Sequence, residues 1–364
     1  VRENRIAGAL LGAAVGDAIG LPLEGLTPAR AARLFPGPPR PRLLLGRAFM
    51  SDDGEHACMT AQALLASGGD EDRLARSLAW RLRGWVLAAP AGIGWATLRA
   101  CVKLWLFLPR RWWGVRSAGN GPAMRAPLLG VVAGDDDARL ARWVVAATRV
   151  THTDPMAVEG ALAVALAARD GAAGRAPVGG EAAAAWARAL PARVAMLAAA
   201  PASAIFDRSM QAVAEHLARG ASPAELAAAL GCARGVTGFI MHTVPAALFC
   251  WLRRPDDPRG VIGDVLALGG DADTTGAIAG GIAGATAGAA ALPAEWVDGI
   301  VDWPRSVAWM RRLAARLAGR FPRDGDALPG AGALPLFWPA LPLRNAFFAL
   351  VVLLHGLRRL LPPY

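Results

Sequence analysis

Two short stretches hold side chains whose types and spacing could do chemistry. In Gly269-Gly270-Asp271-Ala272-Asp273-Thr274-Thr275, two carboxylates and two hydroxyls stand at the mouth of a long uncharged run. Clustered hard oxygens suit a cation. Asp271 and Asp273, two apart, can point to one side of a turn, and Thr274 can add its hydroxyl as a helix begins. Met50-Ser51-Asp52-Asp53-Gly54-Glu55-His56 mirrors this pattern, a hydroxyl and two carboxylates ahead of the apolar helical run 57–65. One Ser or Asp would cap that helix; three oxygen-bearing residues in a row exceed what a cap needs. At both places the positive end of a helix dipole favours anions.

A third stretch has a different character. Trp112-Trp113-Gly114-Val115-Arg116-Ser117-Ala118-Gly119-Asn120-Gly121-Pro122 is a glycine-rich loop leading into Ala-Met-Arg. Such a loop can offer backbone N–H groups to a phosphate, with Trp112 and Trp113 available to stack on a base. Thr151-His152-Thr153-Asp154-Pro155 opens the next helix, and His152 on its own reads as a cap or a satisfied core histidine.

The elements that must position these groups are helical. Gly276, Gly280, Gly284 and Gly288 recur every four residues, and Gly8, Gly12, Gly16 and Gly20 repeat that period near the N-terminus. Two helices faced in this way can pack very closely, bringing Asp17 and Glu24 toward the acidic cluster. On the glycines alone, a plain small-residue interface in an alanine-rich chain fits equally well. Helices are expected at 3–20, 57–65, in one or two pieces over 74–108, at 139–149, 156–169, from Glu181, Ala204 and Pro223, and over 237–252. Residues 30–49 and 170–180 read as loops, and no strand-like alternation occurs. Trp80, Trp85, Trp95 and Trp105 read as core.

The 364 residues allow one large domain or two ordinary ones, and the net charge of +10 rests on scattered arginine, with Lys103 the only lysine. A nucleic-acid surface needs a clustered basic face, so none is expected. Cys58, Cys101, Cys232 and Cys250 have neither metal-ligand spacing nor disulfide density, which points to a reducing cytoplasmic compartment. The first residues lack the regions of a signal peptide. The uncharged run 274–292 could span a bilayer by length, but its alanine and glycine give little transfer energy.

Five ordered motifs carry a resemblance: GALLGAAVGDAIGLPLEG, MSDDGEH, GNGPAMRAPLLG, THTDP and GGDADTTGAIAGGIAGA. From Ile6 to Ala290 the chain resembles the ADP-ribosylglycohydrolase family. The resemblance implies an all-α, compact multi-helix orthogonal bundle with a binuclear metal site in a central cleft, holding two divalent cations, magnesium or manganese. It implies a hydrolase that cleaves the glycosidic bond between ADP-ribose and a modified protein side chain or small-molecule acceptor. Carried onto this sequence, Ser51, Asp52 and Asp53 ligate from one side and Asp271, Asp273 and Thr274 from the other. Glu24 is the acidic residue near the scissile ribose, and Ser117, Gly119, Asn120, Gly121 and His152 contact ADP-ribose. Asp52, Asp53, Asp271 and Asp273 then share metal holding and water activation, Glu24 positions the sugar or transfers a proton, and Asp273, nearest the helix start, bridges both ions. Gly54 stands where the family commonly has Thr, and Ala118 offers no aromatic surface, which leaves stacking to Trp112 or Trp113. The alternatives are a non-catalytic member of the same fold and a metal-dependent hydrolase of another nucleotide-linked glycoside.

The chain divides on this reading into a catalytic domain, 1–325, and a Pro-rich linker with an apolar and basic helix, 326–364. The tail's longest apolar run, 346–354, has nine residues, too few to cross a bilayer. Phe347, Phe348, Leu350, Val351, Leu354, Leu357 and Leu361, flanked by Trp338, Arg358 and Arg359, make a face that either completes the core or docks on an anionic membrane surface or another protein. The protein is expected to be a monomer, and removal of everything after Pro329 to leave hydrolysis intact.

Overall fold

Local caps decide where many of the helices begin. Ser51, Asp70, Asp136, Asp154, Ser203, Ser222 and Ser306 each accept a backbone N–H from the first turn that follows them. The computed structural model describes residues 1–322, 327–330 and 332–362. The boundary expected at 325 and 326 lies outside the described residues.

In chain order the helices are α1 (Arg2–Gly20), α2 (Pro28–Leu34), α3 (Asp52–Ser67), α4 (Glu71–Leu87), α5 (Trp95–Trp105), α6 (Ala126–Ala133), α7 (Asp137–Arg149), α8 (Pro155–Ala172) and α9 (Gly180–Ala198). They continue with α10 (Ala204–Ala218), α11 (Pro223–Ala229), α12 (Ile240–Arg253), α13 (Pro258–Leu266), α14 (Ala272–Ala287), α15 (Ala294–Val297), α16 (Val307–Arg320) and α17 (Ala340–Arg358). Among the described residues the only β pairings are isolated bridges, so the fold is all-α. Among the boundaries that differ, the loop expected at 30–49 begins inside α2, α8 runs three residues into the expected 170–180 linker, and α12 starts at Ile240, leaving 231–239 irregular.

Of the four tryptophans expected in the core, only Trp85 is buried; Trp80, Trp95 and Trp105 are 66%, 70% and 39% exposed. The reason is the helical period. On α4 the inward stripe is Leu74, Leu78, Leu82 and Trp85, which turns Trp80 outward.

The centre of the molecule is the seat of α1 on α14. A Cβ placed on Gly8, Gly12 or Gly16 would lie 2.0, 2.1 or 1.9 Å from the carbonyl oxygens of Gly284, Gly280 and Gly276, so the two main chains touch without intervening side chains. Gly288 departs from the expected ladder: it ends α14 at φ 90°, facing Asn4. Gly12→Ala is therefore expected to push the helices apart and lower unfolding stability by about 1–3 kcal/mol in a denaturant titration. Gly319→Ala, on α16 with open space around its Cβ position, should instead gain up to about 1 kcal/mol. Equal effects at the two positions would contradict the close seat.

Helix α17 does two things at once. Leu341, Arg344, Asn345, Phe348 and Val351 are buried, while Leu343, Leu350, Leu353, Leu354 and Leu357 stay more than half exposed. Arg344 is ion-paired with Asp302, its Nε 3.1 Å from Oδ1, and donates to the Met50 carbonyl; Asn345 donates to the Ala88 carbonyl at 2.8 Å. The tail thus sits directly behind Ser51, which runs against the expectation that hydrolysis survives its removal. By length and composition alone α17 and the segment Arg2–Leu23 could cross a membrane, but the N-terminal one is 94% buried and α17 is one third buried.

Candidate active site

The two acidic helix starts meet. Thr274 Oγ1, on the first turn of α14, donates to Asp53 Oδ2 on the first turn of α3 at 3.1 Å. Ser51 Oγ donates to the same carboxylate oxygen at 3.2 Å and accepts the Asp53 N–H. Behind them Asp17 of α1, fully buried, accepts the N–H groups of Ser51 and Gly54 at 2.9 and 2.8 Å, which locks the start of α3 to the glycine seat. A Cβ on Gly54 would lie 2.7 Å from Met50 Sδ and 3.1 Å from Asp17 Oδ2. The room that Thr would need there is filled by Met50.

On the other side, Gly269-Gly270 is threaded between two chains. Gly270 exchanges hydrogen bonds with Gly25 and Leu26, and Asp271 N–H donates to the Val236 carbonyl at 2.7 Å. With φ at 79°, and with the Val236 oxygen 2.0 Å from a Cβ position, only glycine fits at 270. Asp271 then receives Asn120 Nδ2 at 2.7 Å, and Asp273 accepts the Thr274 N–H at 2.9 Å.

Electrostatics show a site short of positive charge. Burial, then mutual repulsion, raises the carboxyls of Asp52, Asp53 and Asp273 well above their ordinary range. Burial pushes Asp17 up to about 7 even though the Ser51 and Gly54 amides pull it down. Asp53 Oδ1 is buried without a hydrogen-bond partner. A divalent cation fits these observations, since it would meet that oxygen, relieve the repulsion and find the carboxylate and hydroxyl donors it prefers. Among the described residues no three carboxylate, imidazole or thiol side chains converge on one point, so hydroxyls and water would complete any shell.

The sign of the pH dependence follows. Each raised carboxyl binds a proton when folded that the unfolded chain has already released. The chelated protein should therefore lose stability as pH rises from about 4, the ordinary carboxyl range, to about 7. Thermal melts in chelator should fall across that window, and added magnesium should recover most of the loss at the upper end. A melting temperature that rose with pH in chelator would refute the reading.

The glycine loop is also brought to this cleft, with changes of role. Asn120 spends both amide protons inside the protein, on Asp271 and on Thr243 Oγ1, and its backbone N–H on Gly238; it orients Asp271. Gly119 N–H donates to Ser117 Oγ at 3.3 Å. His152 is 2% exposed beneath the loop, its Nε2 3.2 Å from the Cβ position of Gly119 and its Nδ1 2.9 Å from Thr151 Oγ1. Burial, with Arg125 nearby, lowers it to about 3, so it stays neutral. Gly121 lies on the other side of the same ring. Trp113 is buried, with its indole N–H on the Leu108 carbonyl, and offers no face for stacking; Trp112 is half exposed under the Arg111 guanidinium.

Glu24 stands exposed at the mouth. Partial loss of solvent and the charge of Asp271 raise its carboxyl, against the pull of Arg359. Arg359, from the turn after α17, donates to the carbonyls of Glu24 and Pro22 at 2.8 and 2.6 Å, and so pins the loop that carries Glu24.

Sequence reasoning missed four contributors: the loop 235–239 beside Asp271 and Asn120, Asp17 as the anchor of α3, and Arg344 and Arg359 from the tail. GDAIG and GVTGF were the available signals for the first two.

The sequence model of the ADP-ribosylglycohydrolase family matches residues 1–327. An uncharacterized protein of Archaeoglobus fulgidus is 31% identical over 170 residues, 45% of this chain and 55% of that protein, so the match spans about half of the relative's length. Among solved structures, a chain titled "ADP-ribosylglycohydrolase-related protein complex" matches with a TM-score of 0.62 and 27% identity, covering 87% of this chain and 97% of that one.

Proposed function

Since this chain belongs to the ADP-ribosylglycohydrolase family, we propose that it is a metal-dependent hydrolase that releases ADP-ribose from a modified protein side chain or a small-molecule conjugate. The observation that carries this reading is the contact of Thr274 with Asp53, which joins the two acidic helix starts around a buried carboxylate oxygen without a partner. Ser51, Asp52 and Asp53 would hold one side of a two-cation centre, and Asp271, Asp273 and Thr274 the other. Bound magnesium or manganese supplies a grip on ribose hydroxyls and a more acidic water.

The protein's own groups do the rest. Asn120 aims Asp271, and the Gly119–Gly121 turn, braced from below by neutral His152, walls the cleft where the nucleotide would lie. Glu24, with its raised carboxyl, can hold a proton at the mouth, where the departing acceptor needs one. An oxocarbenium-like sugar is favoured by so negative a surrounding. A cytoplasmic location belongs to the proposal, supported by four buried free cysteines, and so does peripheral docking through the exposed face of α17.

The test is release of free ADP-ribose from arginine-, serine-, guanine- and thymine-linked substrates, with and without chelator. Release from at least one, lost in chelator and restored by magnesium or manganese, is expected. Undiminished release in chelator would end the metal reading. No release from any of them would favour a non-catalytic member of the fold.

A further inference from the structure

A cavity of about 440 Å³ lies between α4, the end of α5 and the tail, and none of the candidate metal ligands is among its lining residues. Its walls include Trp80, Trp105, Phe107 and Trp338, and Trp85 and Trp309 also line it. Three of these, Trp80, Phe107 and Trp338, are 66%, 67% and 44% exposed. Aromatic surface left open to this extent costs solubility and marks a place where something binds.

The charge of the cavity is one-sided. Among the described residues no lining residue is acidic and three are arginines. Arg305 is already matched, by Glu55. Arg83 donates to the Leu104 carbonyl and lies 4.8 Å over the Phe107 ring. Arg81, half-buried, has the Gln62 carbonyl at 3.3 Å and no carboxylate partner among the described residues. A guanidinium withdrawn from water in an apolar groove without a counter-charge attracts an anion that brings its own apolar body.

We propose that this groove binds a small amphipathic carboxylate, its apolar part against the tryptophans and its carboxylate on Arg81. The proposal is independent of the hydrolytic reading. The probe is dodecanoate below its micelle concentration, with dodecanol and dodecyltrimethylammonium as controls, followed by tryptophan fluorescence and by calorimetry on the full chain.

Saturable binding of dodecanoate is expected, at least about tenfold tighter than dodecanol, with no binding of the cation. Arg81→Leu should erase the tenfold preference. Because Arg81 also holds the Gln62 carbonyl, Gly84→Leu gives a second test. A Cβ there already lies 3.4 Å from the Trp338 indole nitrogen, so the larger side chain fills the groove from an open helix face while the fold is kept. It should abolish dodecanoate binding and leave ADP-ribose release unchanged. Dodecanol binding as tightly as dodecanoate, no saturable binding, or undiminished binding by Gly84→Leu would each overturn the proposal. So would a concentration-dependent dimer that Gly84→Leu breaks, which would assign the groove to a second copy of the chain.

Discussion

Asp53→Asn is expected to lower ADP-ribose release at least about 100-fold, above what loss of a merely supporting contact costs. The same change should make the chelated protein more stable, not less. Among the described residues Asp53 carries the only side-chain oxygen that is buried and unpartnered, and it also receives the Ser51 and Thr274 hydroxyls. Asn keeps the shape and an acceptor oxygen but removes a charge that burial and the neighbouring Asp52 already disfavour. In chelator, the gain should be on the order of 1 kcal/mol, roughly 2 °C in a large domain. Activity loss with higher apo stability identifies a functional carboxylate. Loss of both would mark Asp53 as structural, and wild-type turnover would remove it from the site. Asp273→Asn should behave alike. If Asp273→Asn turns over normally while Asp271→Asn does not, the bridging role falls to Asp271.

Arg344→Ala is expected to cost about 3–5 kcal/mol in urea unfolding, because it strands Asp302 in the interior without its partner. Asp302 also accepts the Met50 N–H at 3.0 Å, and Arg344 reaches the Met50 carbonyl, so the loss disturbs the residue before Ser51 from both sides. Metal-dependent turnover should drop with it. Arg344→Met combined with Asp302→Asn removes both charges and keeps an acceptor for Met50, so it should recover most of the stability. A chain ending at Pro329 should fail like Arg344→Ala. Wild-type stability and turnover in that truncated chain would show that α17 is an accessory.

What could be read in the sequence was whatever depends on local periodicity or on side-chain chemistry at a helix start. The four-residue glycine spacing announces a helix face without side chains, and Ser-Asp-Asp and Asp-Ala-Asp-Thr announce oxygen donors. Asn120 was legible as a loop residue, but not as one whose amide is turned inward, because that depends on where α14 and α12 bring Asp271 and Thr243. The loop 235–239 was hidden for a similar reason: it works through main-chain bonds, so its two glycines mark a turn without saying what that turn meets. Trp112 and Trp113 are neighbours with opposite fates, decided by the tight turn Arg110–Trp112 and by which indole finds a carbonyl. Arg344 was masked by an apolar helix whose buried face is set by a distant aspartate.

Where α1 meets α14, main chain rests on main chain; one carboxylate group opens α14 itself, and the other opens α3, which Asp17 ties to α1. Their separation is therefore set by that seat together with one fully buried side chain, Asp17. Rotamer changes elsewhere cannot stretch it, and alanine-rich outer helices can exchange one small residue for another without the centre registering the change. A protein built in this way concentrates its intolerance of change in a few glycines and leaves the rest of its composition free to drift.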